Sequence, residues 1–443
     1  MTDQRYSLDT SWHAPCAPEP LDAVVTVPGS KSLTNRELVL AAMADGPSTL
    51  HAPLHSDDSA RMVDALRTLG VGIDPLPGEG PFGDDLVVTP VAPFTGSGVI
   101  DCGQAGTVMR FVAPLVGFVD GEITLTAHAS ALHRPMGAMI KALRDLGVDI
   151  DDGARWALPF TVRGHGQVRG GEVVIDASAS SQFVSGLLLA APRFDVGLHL
   201  IHEGERLPSM PHIDMTVEAL SRRGVIVERP SATEWVVPAG PVRGKDVHVE
   251  PDLSNAAPFL AAALVAGGRV SVTGWPLHST QPGAMLPEIL TLMGARTQRR
   301  GGALHVAGGG AIQGVDLDLS AAGELAPTIV GLAALADAPT AIHGIGHIRL
   351  HETDRLAALV ENLRALGGEA EELEDGIRIV PRPLHGGVWK AHNDHRMATT
   401  GALIGLAVEG VEVDDIGTTA KTMPQFPKLW AQMLGDESGD AAA

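Results

Sequence analysis

Pro28-Gly29-Ser30-Lys31-Ser32-Leu33-Thr34-Asn35-Arg36 and Asn393-Asp394-His395-Arg396-Met397 place cations beside small hydrogen-bonding residues where helices are expected to begin. A helix start leaves backbone N–H groups without intrahelical partners and carries the positive end of the helix dipole, so it suits an anion. The chain has 443 residues and a formal net charge of -21. In so acidic a chain, cations gathered at helix starts suit a small, highly charged anion. Three further stretches add basic groups: Leu132-His133-Arg134-Pro135, Arg349-Leu350-His351-Glu352-Thr353-Asp354-Arg355, and Thr419-Ala420-Lys421-Thr422.

Each of these has an ordinary reading when taken alone. Ser180 and Ser181 are good helix N-caps. Gly103 and Gly106 are usual turn residues, and the phosphate-loop pattern is absent. Glu352 and Arg355 at i, i+3 suit a solvated helix pair. His392, Asp394 and His395 lack a further cluster with ligand spacing, so no metal is expected. Cys102, with no obvious His or Lys nearby, reads as structural. Together they carry more weight. One helix start gives an exposed anion only about 0.3–1 kcal/mol. Several of them, with Lys31, Arg36, Arg134, Arg355, Arg396 and Lys421, could immobilise two phosphorylated molecules.

The elements that must position these residues repeat. Apolar helical segments end at Gly70, Gly147, Gly224, Gly294, Gly367 and Gly435, a spacing of roughly 70 residues. Short alternating strands follow most of them, as at Val71-Gly72-Ile73. A second helix type, rich in Ala, Leu and Val, begins near Ser32, Gly106, Ser180, Ser254, Gly323 and Asp394 and leads into β-like stretches such as Arg269-Val270-Ser271-Val272-Thr273. These second helices are apolar nearly all round and should be buried. Six α/β units suit two domains of three, with helix starts facing a shared cleft.

Composition narrows the class. The length exceeds one hydrophobic core, so two domains are expected. Hydrophobic residues make up 44%, but with nine Phe, six Trp and one Tyr the core must be mostly aliphatic. The acidic balance argues against nucleic acid or an anionic membrane as partner. It still allows a small anion, because screening over about 8 Å hides distant carboxylates. Cys16 and Cys102 give no disulfide framework, which points to a reducing compartment. No secretory signal pattern or apolar run of about 20 residues is present, so a cytosolic protein is expected. The first dozen residues and Asp436–Ala443 are expected to be frayed.

With these motifs in order, the chain resembles the EPSP synthase family from roughly Pro28 to Pro427. The likeness rests on Gly-Ser-Lys-Ser with a later Asn-Arg, Ala-Gly-Thr with a later Arg, Ser-Ser-Gln, Glu-Thr-Asp-Arg and Asp-His-Arg. The resemblance implies a two-domain inverted α/β barrel-like fold of six βαβαββ repeats, three per domain. One lobe would be 1–27 plus 250–443, the other 28–249, with the active site in the cleft between them. It implies transfer of the enolpyruvyl group of phosphoenolpyruvate to the 5-hydroxyl of shikimate 3-phosphate, a step toward chorismate and the aromatic amino acids. No metal or organic cofactor is implied, and a cytoplasmic, monomeric glyphosate target is the expectation.

By the same resemblance, Lys31, Ser32, Arg36, Ser180, Ser181, Gln182, Ser209, Glu324 and His351 fall at shikimate 3-phosphate contacts. Lys31, Gly106, Arg134, Gln182, Arg355, Arg396 and Lys421 fall at phosphoenolpyruvate contacts. Lys31, Glu324, Glu352, Asp394 and Lys421 are the implied catalytic set. Departures are visible: His351 stands where many relatives carry Lys, Glu324 where many carry Asp, His347 where many carry Asn, and Gln104 and His212 replace a frequent Asn and Tyr. Two rivals remain at this level. One is the enolpyruvyl transferase acting on UDP-N-acetylglucosamine, which carries a reactive Cys before an Arg-Pro pair, where this chain reads His128-Ala129-Ser130-Ala131-Leu132-His133-Arg134-Pro135. The other is a non-catalytic binding protein of the same fold, which should have lost some of Lys31, Glu352, Asp394 or Lys421.

Overall fold

The computed structural model describes residues 11–309 and 311–436, so most of both ends expected to be frayed lies outside the described residues. Within the first dozen, Trp12 departs from that expectation. It is 8% exposed and pairs with Val413 in an antiparallel strand. A large indole that can be covered fastens its own segment.

The two helix types appear as read. The Ala/Leu/Val-rich type begins as α1 (Lys31–Ala42), and the type stopped by glycine as α2 (Asp57–Thr68). They alternate through α3 (Gly106–Val116), α4 (Gly137–Asp145), α5 (Gln182–Ala190) and α6 (Met210–Arg222). The series continues as α7 (Ala257–Val265), α8 (Leu286–Leu292), α9 (Ala326–Ala334), α10 (Arg355–Ala365), α11 (His395–Gly405) and α12 (Phe426–Met433). Gly70 follows α2 at φ 91° and Gly435 follows α12 at φ 82°. That left-handed backbone excludes a Cβ at little cost only for glycine, so the recurring Gly stops each helix. Nearly every residue of α3, α5, α7 and α9 is buried, as their all-round apolar surface requires.

The strands repeat one pairing order. Gly98–Asp101 runs parallel to Asp120–Thr126, which pairs antiparallel with Phe160–His165, which pairs antiparallel with Asp149–Asp151. The same order recurs in five four-stranded sheets among the described residues, and a three-stranded sheet closes the set with Trp12–His13 at its edge. Strands such as Leu198–His202 alternate buried and partly exposed residues. The sheets thus present one face to the buried helices and the other outward.

The chain forms two compact units, Pro28–Asp252 and the described residues up to Val27 with Leu253 onward. Each has its own core. The early strand Leu21–Val25 belongs with the later half because it pairs parallel with Gly268–Thr273. In the same way Val247–His248 pairs back with Ser48–His51. The return crossing falls after Asp252 rather than at 249/250. Glu250 stays with the earlier unit by accepting the Ser30 N–H at 2.7 Å, and Asp252 donates its N–H to Pro28 O at 2.9 Å.

One ion pair inside the 28–252 unit is fully desolvated. Arg223, after α6, binds Glu37 of α1 through Nε at 2.9 Å and Nη2 at 2.8 Å, and its Nη1 also reaches Ser48 Oγ at 3.0 Å. Removing one partner leaves the other charge buried, which typically costs about 3–5 kcal/mol. Glu37→Gln should lower the unfolding free energy from urea titration by that order, with a lower midpoint, while Glu37→Met with Arg223→Met should recover much of it. Equal midpoints for the Gln variant and the parent would contradict this account.

Candidate functional site

The N-terminal turns of the buried helices carry most of the residues singled out by motif. In the 28–252 unit they are joined side chain to side chain. Asn35 of α1 donates to Thr107 Oγ1 of α3 at 2.7 Å. Arg110 of α3 donates to Gln182 Oε1 of α5 at 3.2 Å and to Gly106 O at 3.4 Å. The starts of α1, α3 and α5 are therefore neighbours, and their unbonded N–H groups share one region.

Lys31 opens α1 after the N-cap Ser30, whose hydroxyl accepts the Leu33 N–H at 3.5 Å. Its backbone N–H donates to Asp252 at 3.1 Å, and its ammonium lies 3.2 Å from the carboxylate of Asp58 on α2. Arg134, 5% exposed, is held by the carbonyl of Gln104 at 2.9 Å, just before α3. Ser180 Oγ accepts the Gln182 N–H at 3.2 Å, and Ser181 is the buried N-cap residue of α5. Ser209 precedes α6 in left-handed backbone at φ 53°, a conformation uncommon for residues other than glycine.

Arg36 differs from the expectation of an open phosphate ligand. It is 1% exposed, and its guanidinium donates to Thr216 Oγ1 at 2.8 Å, Ser32 O at 2.8 Å, His212 O at 2.7 Å and Ser185 Oγ at 3.4 Å. It also lies over the Phe111 ring. In this structure Arg36 ties α1 to α5 and α6.

In the other unit the singled-out residues close a ring. Glu324 accepts the Ser254 hydroxyl, and its other carboxylate oxygen lies 3.9 Å from Arg396 Nη2. The Arg396 N–H donates to Asp394 Oδ1 at 2.9 Å, which makes Asp394 the N-cap of α11. Arg355 grips Asp394 through Nε at 2.7 Å and Nη2 at 3.1 Å, and binds Glu352 at 2.9 Å. Lys421 Nζ lies 3.5 Å from the other oxygen of Glu352. Thr422 O then accepts from Asn255 at 3.2 Å, beside Ser254. The ring joins the starts of α7, α9, α10 and α11. His392 and Asn393, entering α11, hold positive φ of 52° and 56°, strained backbone at the motif itself.

Burial works against the charge of Arg355, yet Asp394 and Glu352 beside it raise its pKa above the ordinary guanidinium value. Arg355 Nη1 donates to His351 Nδ1 at 2.9 Å. That ring nitrogen must be unprotonated to accept, so the imidazole is neutral while the contact lasts. A lysine at 351 would instead set a second cation against Arg355. His347, 6% exposed, packs close to Gly323, where an added Cβ would lie 2.6 Å from its Nε2.

Motif reading passed over Ser254 and Asn255, noted only as a helix start, and Asp58, and it gave Arg110 no role beyond its place in a motif. Their partners come from distant parts of the chain, and no local spacing signals them. Glu352 and Arg355, which taken alone suit a solvated i, i+3 pair, are largely buried with side chains 11% and 3% exposed. No group of His, Cys, Asp and Glu among the described residues could hold a metal ion. No described helix is long and apolar enough to cross a membrane.

The family described as EPSP synthase (3-phosphoshikimate 1-carboxyvinyltransferase) matches residues 16–430. A 3-phosphoshikimate 1-carboxyvinyltransferase from Kocuria rhizophila is 53% identical over 437 residues, which covers 98% of each chain. Among solved structures, an EPSP synthase from Acinetobacter baumannii superposes with TM-score 0.78 at 25% identity, covering 95% of this chain and 97% of that one. The enolpyruvyl transferase NikO from Streptomyces tendae gives TM-score 0.73 at 18% identity over 96% of each chain, a likeness of fold alone.

Cys102 lies in the loop before α3, buried completely, and burial pushes its thiol up to about 12. A thiolate is the reactive form, so Cys102 should be inert at about pH 8. Iodoacetamide should label the exposed Cys16 in the folded protein and reach Cys102 only after unfolding. Peptide mapping that finds Cys102 modified at the same rate as Cys16 would overturn this.

Proposed function

The chain belongs to the EPSP synthase (3-phosphoshikimate 1-carboxyvinyltransferase) family, and from that premise we propose how its residues divide the work of the reaction. It is a transferase that moves the enolpyruvyl group of phosphoenolpyruvate to the 5-hydroxyl of shikimate 3-phosphate and releases phosphate. The observation that carries the division is the Glu352 carboxylate set between two largely buried cations, Arg355 at 2.9 Å and Lys421 at 3.5 Å.

Phosphoenolpyruvate brings a carboxylate and a phosphate, and Arg355, Arg396, Lys421 and Arg134 are the groups suited to take them. Arginine suits the planar carboxylate, because its forked donors match two oxygens at once. When that anion draws Arg355 and Lys421 toward itself, Glu352 loses its counter-charges and gains a like-charged neighbour. Both changes favour the protonated acid. Glu352, with Lys421 beside it, then delivers a proton to the methylene carbon. The 5-hydroxyl attacks the cationic centre so formed, and Glu324 receives the hydroxyl proton. The tetrahedral adduct returns a proton from its new methyl group to the Glu352 carboxylate and expels phosphate, with Lys31 donating to the bridging oxygen. Each proton-transferring group is worth roughly 10²–10⁴ in rate.

Ser32, Ser180, Ser181, Gln182 and Ser209 are assigned to shikimate 3-phosphate, with His351 and Glu324 from the other unit. Arg36 serves this set by fastening Ser32 and the α5 and α6 ends rather than by facing the phosphate. A single-chain monomer suffices for this assignment.

The test mixes both substrates and follows phosphate release. Lys31→Met should lose about 10²-fold or more in kcat with an unchanged circular dichroism spectrum. Near-parent phosphate release by that variant would remove Lys31 from the reaction. An added Cβ at Gly106 would lie 2.6 Å from Arg110 Nη1 and 3.3 Å from Gln182 Oε1. Overpacking of this kind costs about 1–3 kcal/mol. Gly106→Ala should therefore raise the KM for phosphoenolpyruvate and the inhibition constant for glyphosate about tenfold or more. Parent-like values for both would show that Arg110 moves aside freely.

A further inference from the structure

Beneath the turn that carries Ser180, Ser181 and Gln182 lies a histidine that no motif singled out. His202 ends the strand Leu198–His202, opposite Ile175 of the parallel strand Gly171–Ile175, and is 5% exposed. Its Nδ1 accepts the Ala177 N–H at 3.1 Å. Apart from the Arg110 Nη1 donation to Gln182 Oε1 at its far end, several bonds shaping this turn are made within it. Ser178 N–H donates to Asp176 Oδ1 at 2.9 Å, Ser180 N–H to Ala177 O at 3.0 Å, and Gln182 N–H to Ser180 Oγ at 3.2 Å. The imidazole is thus a tether from a neighbouring strand at the Ala177 end of the turn, as Arg110 is at its Gln182 end.

Two features indicate that the Nδ1 contact, and not bulk, is the reason for a histidine here. An imidazole accepts an amide N–H only through an unprotonated nitrogen, so the ring is neutral and carries its hydrogen on Nε2. That Nε2 is buried without a hydrogen-bond partner. Leaving such a group unbonded is destabilising, and an apolar side chain would fill the space without that cost. The second feature is Gly204. A Cβ there would lie 2.5 Å from His202 Cε1 and closer still to Ser178 Oγ, so glycine permits the ring and the turn to pack together.

We propose that His202 is a positioning residue for shikimate 3-phosphate, holding Ala177 and through it the Ser180–Gln182 segment at the height the substrate needs. The proposal rests on the assignment of Ser180, Ser181 and Gln182 to that substrate. Losing the tether lets the turn sample other positions, so binding of shikimate 3-phosphate weakens while the proton-transferring groups of the other unit are untouched.

The test compares His202→Leu, which has no acceptor, with His202→Asn and His202→Gln. The Asn Oδ1 falls near the place of Nδ1, and the Gln Oε1 falls further out, near that of Nε2. His202→Leu and His202→Gln should raise the KM for shikimate 3-phosphate about tenfold, with kcat and the KM for phosphoenolpyruvate within about threefold of the parent. His202→Asn should bring the KM back to within about threefold. A parent-like KM in His202→Leu, or equal impairment of Asn and Gln, would overturn the proposal; the Asn–Gln comparison decides it if the Leu variant fails to fold. Ser181→Ala is measured alongside. A raised KM there with silent His202 variants sinks the tether alone, whereas an unchanged KM sinks the substrate assignment beneath it.

Discussion

A guanidinium taken out of water is the constraint around which the later unit is organised. Arg355 has almost no exposure, and a lone buried cation would be strongly destabilising. Asp394, itself fully buried, and Glu352 supply the opposite charge, and Lys421 and Arg396 attach to the same carboxylates or their neighbours. The consequence is a set of cations fixed in place by internal counter-ions before any anion arrives. The earlier unit follows the same rule, with Lys31 against Asp58 and Arg36 saturated by hydroxyls and carbonyls.

This arrangement needs rigid helix ends, and the inside-out layering supplies them. Helices such as α7 and α9 consist of Ala, Leu, Val and Ile and are buried along their length, so their starts cannot drift without disturbing a packed core. The sheets carry the solvent-facing surface. Polar chemistry then has one place to go, which is the ends of the buried helices. There the unbonded N–H groups already require acceptors.

That division explains what could be read from the chain. Features set by a few consecutive residues were legible: the glycine stops, the apolar all-round helices, and the small polar starts with their cations. Features set by partners far apart in sequence were not. Glu352 and Arg355 look like a solvated i, i+3 pair until Asp394 and Lys421 arrive from elsewhere. Arg36 looks like a free cation until Thr216, Ser185 and His212 surround it. Trp12 looks like part of a loose end because its strand partner, Val413, is at the opposite end of the chain. The motifs located these cations, but only their distant partners show how each is held.

The two acidic residues given opposite proton duties differ in surroundings in the direction those duties require. Glu352 is set between Arg355 and Lys421, the groups a phosphorylated anion would claim, so its charge balance changes most when substrate enters. Glu324 takes a hydroxyl hydrogen from Ser254 and has Arg396 at a longer 3.9 Å, and Ser254 belongs to the protein rather than the ligand. Its ionised form therefore keeps a partner whether or not the site is filled. A carboxylate that keeps its stabilisation remains a base, and one that surrenders it becomes an acid. The glutamate side chain at 324 is compatible with that duty because Ser254 and Arg396 fix where its carboxylate ends.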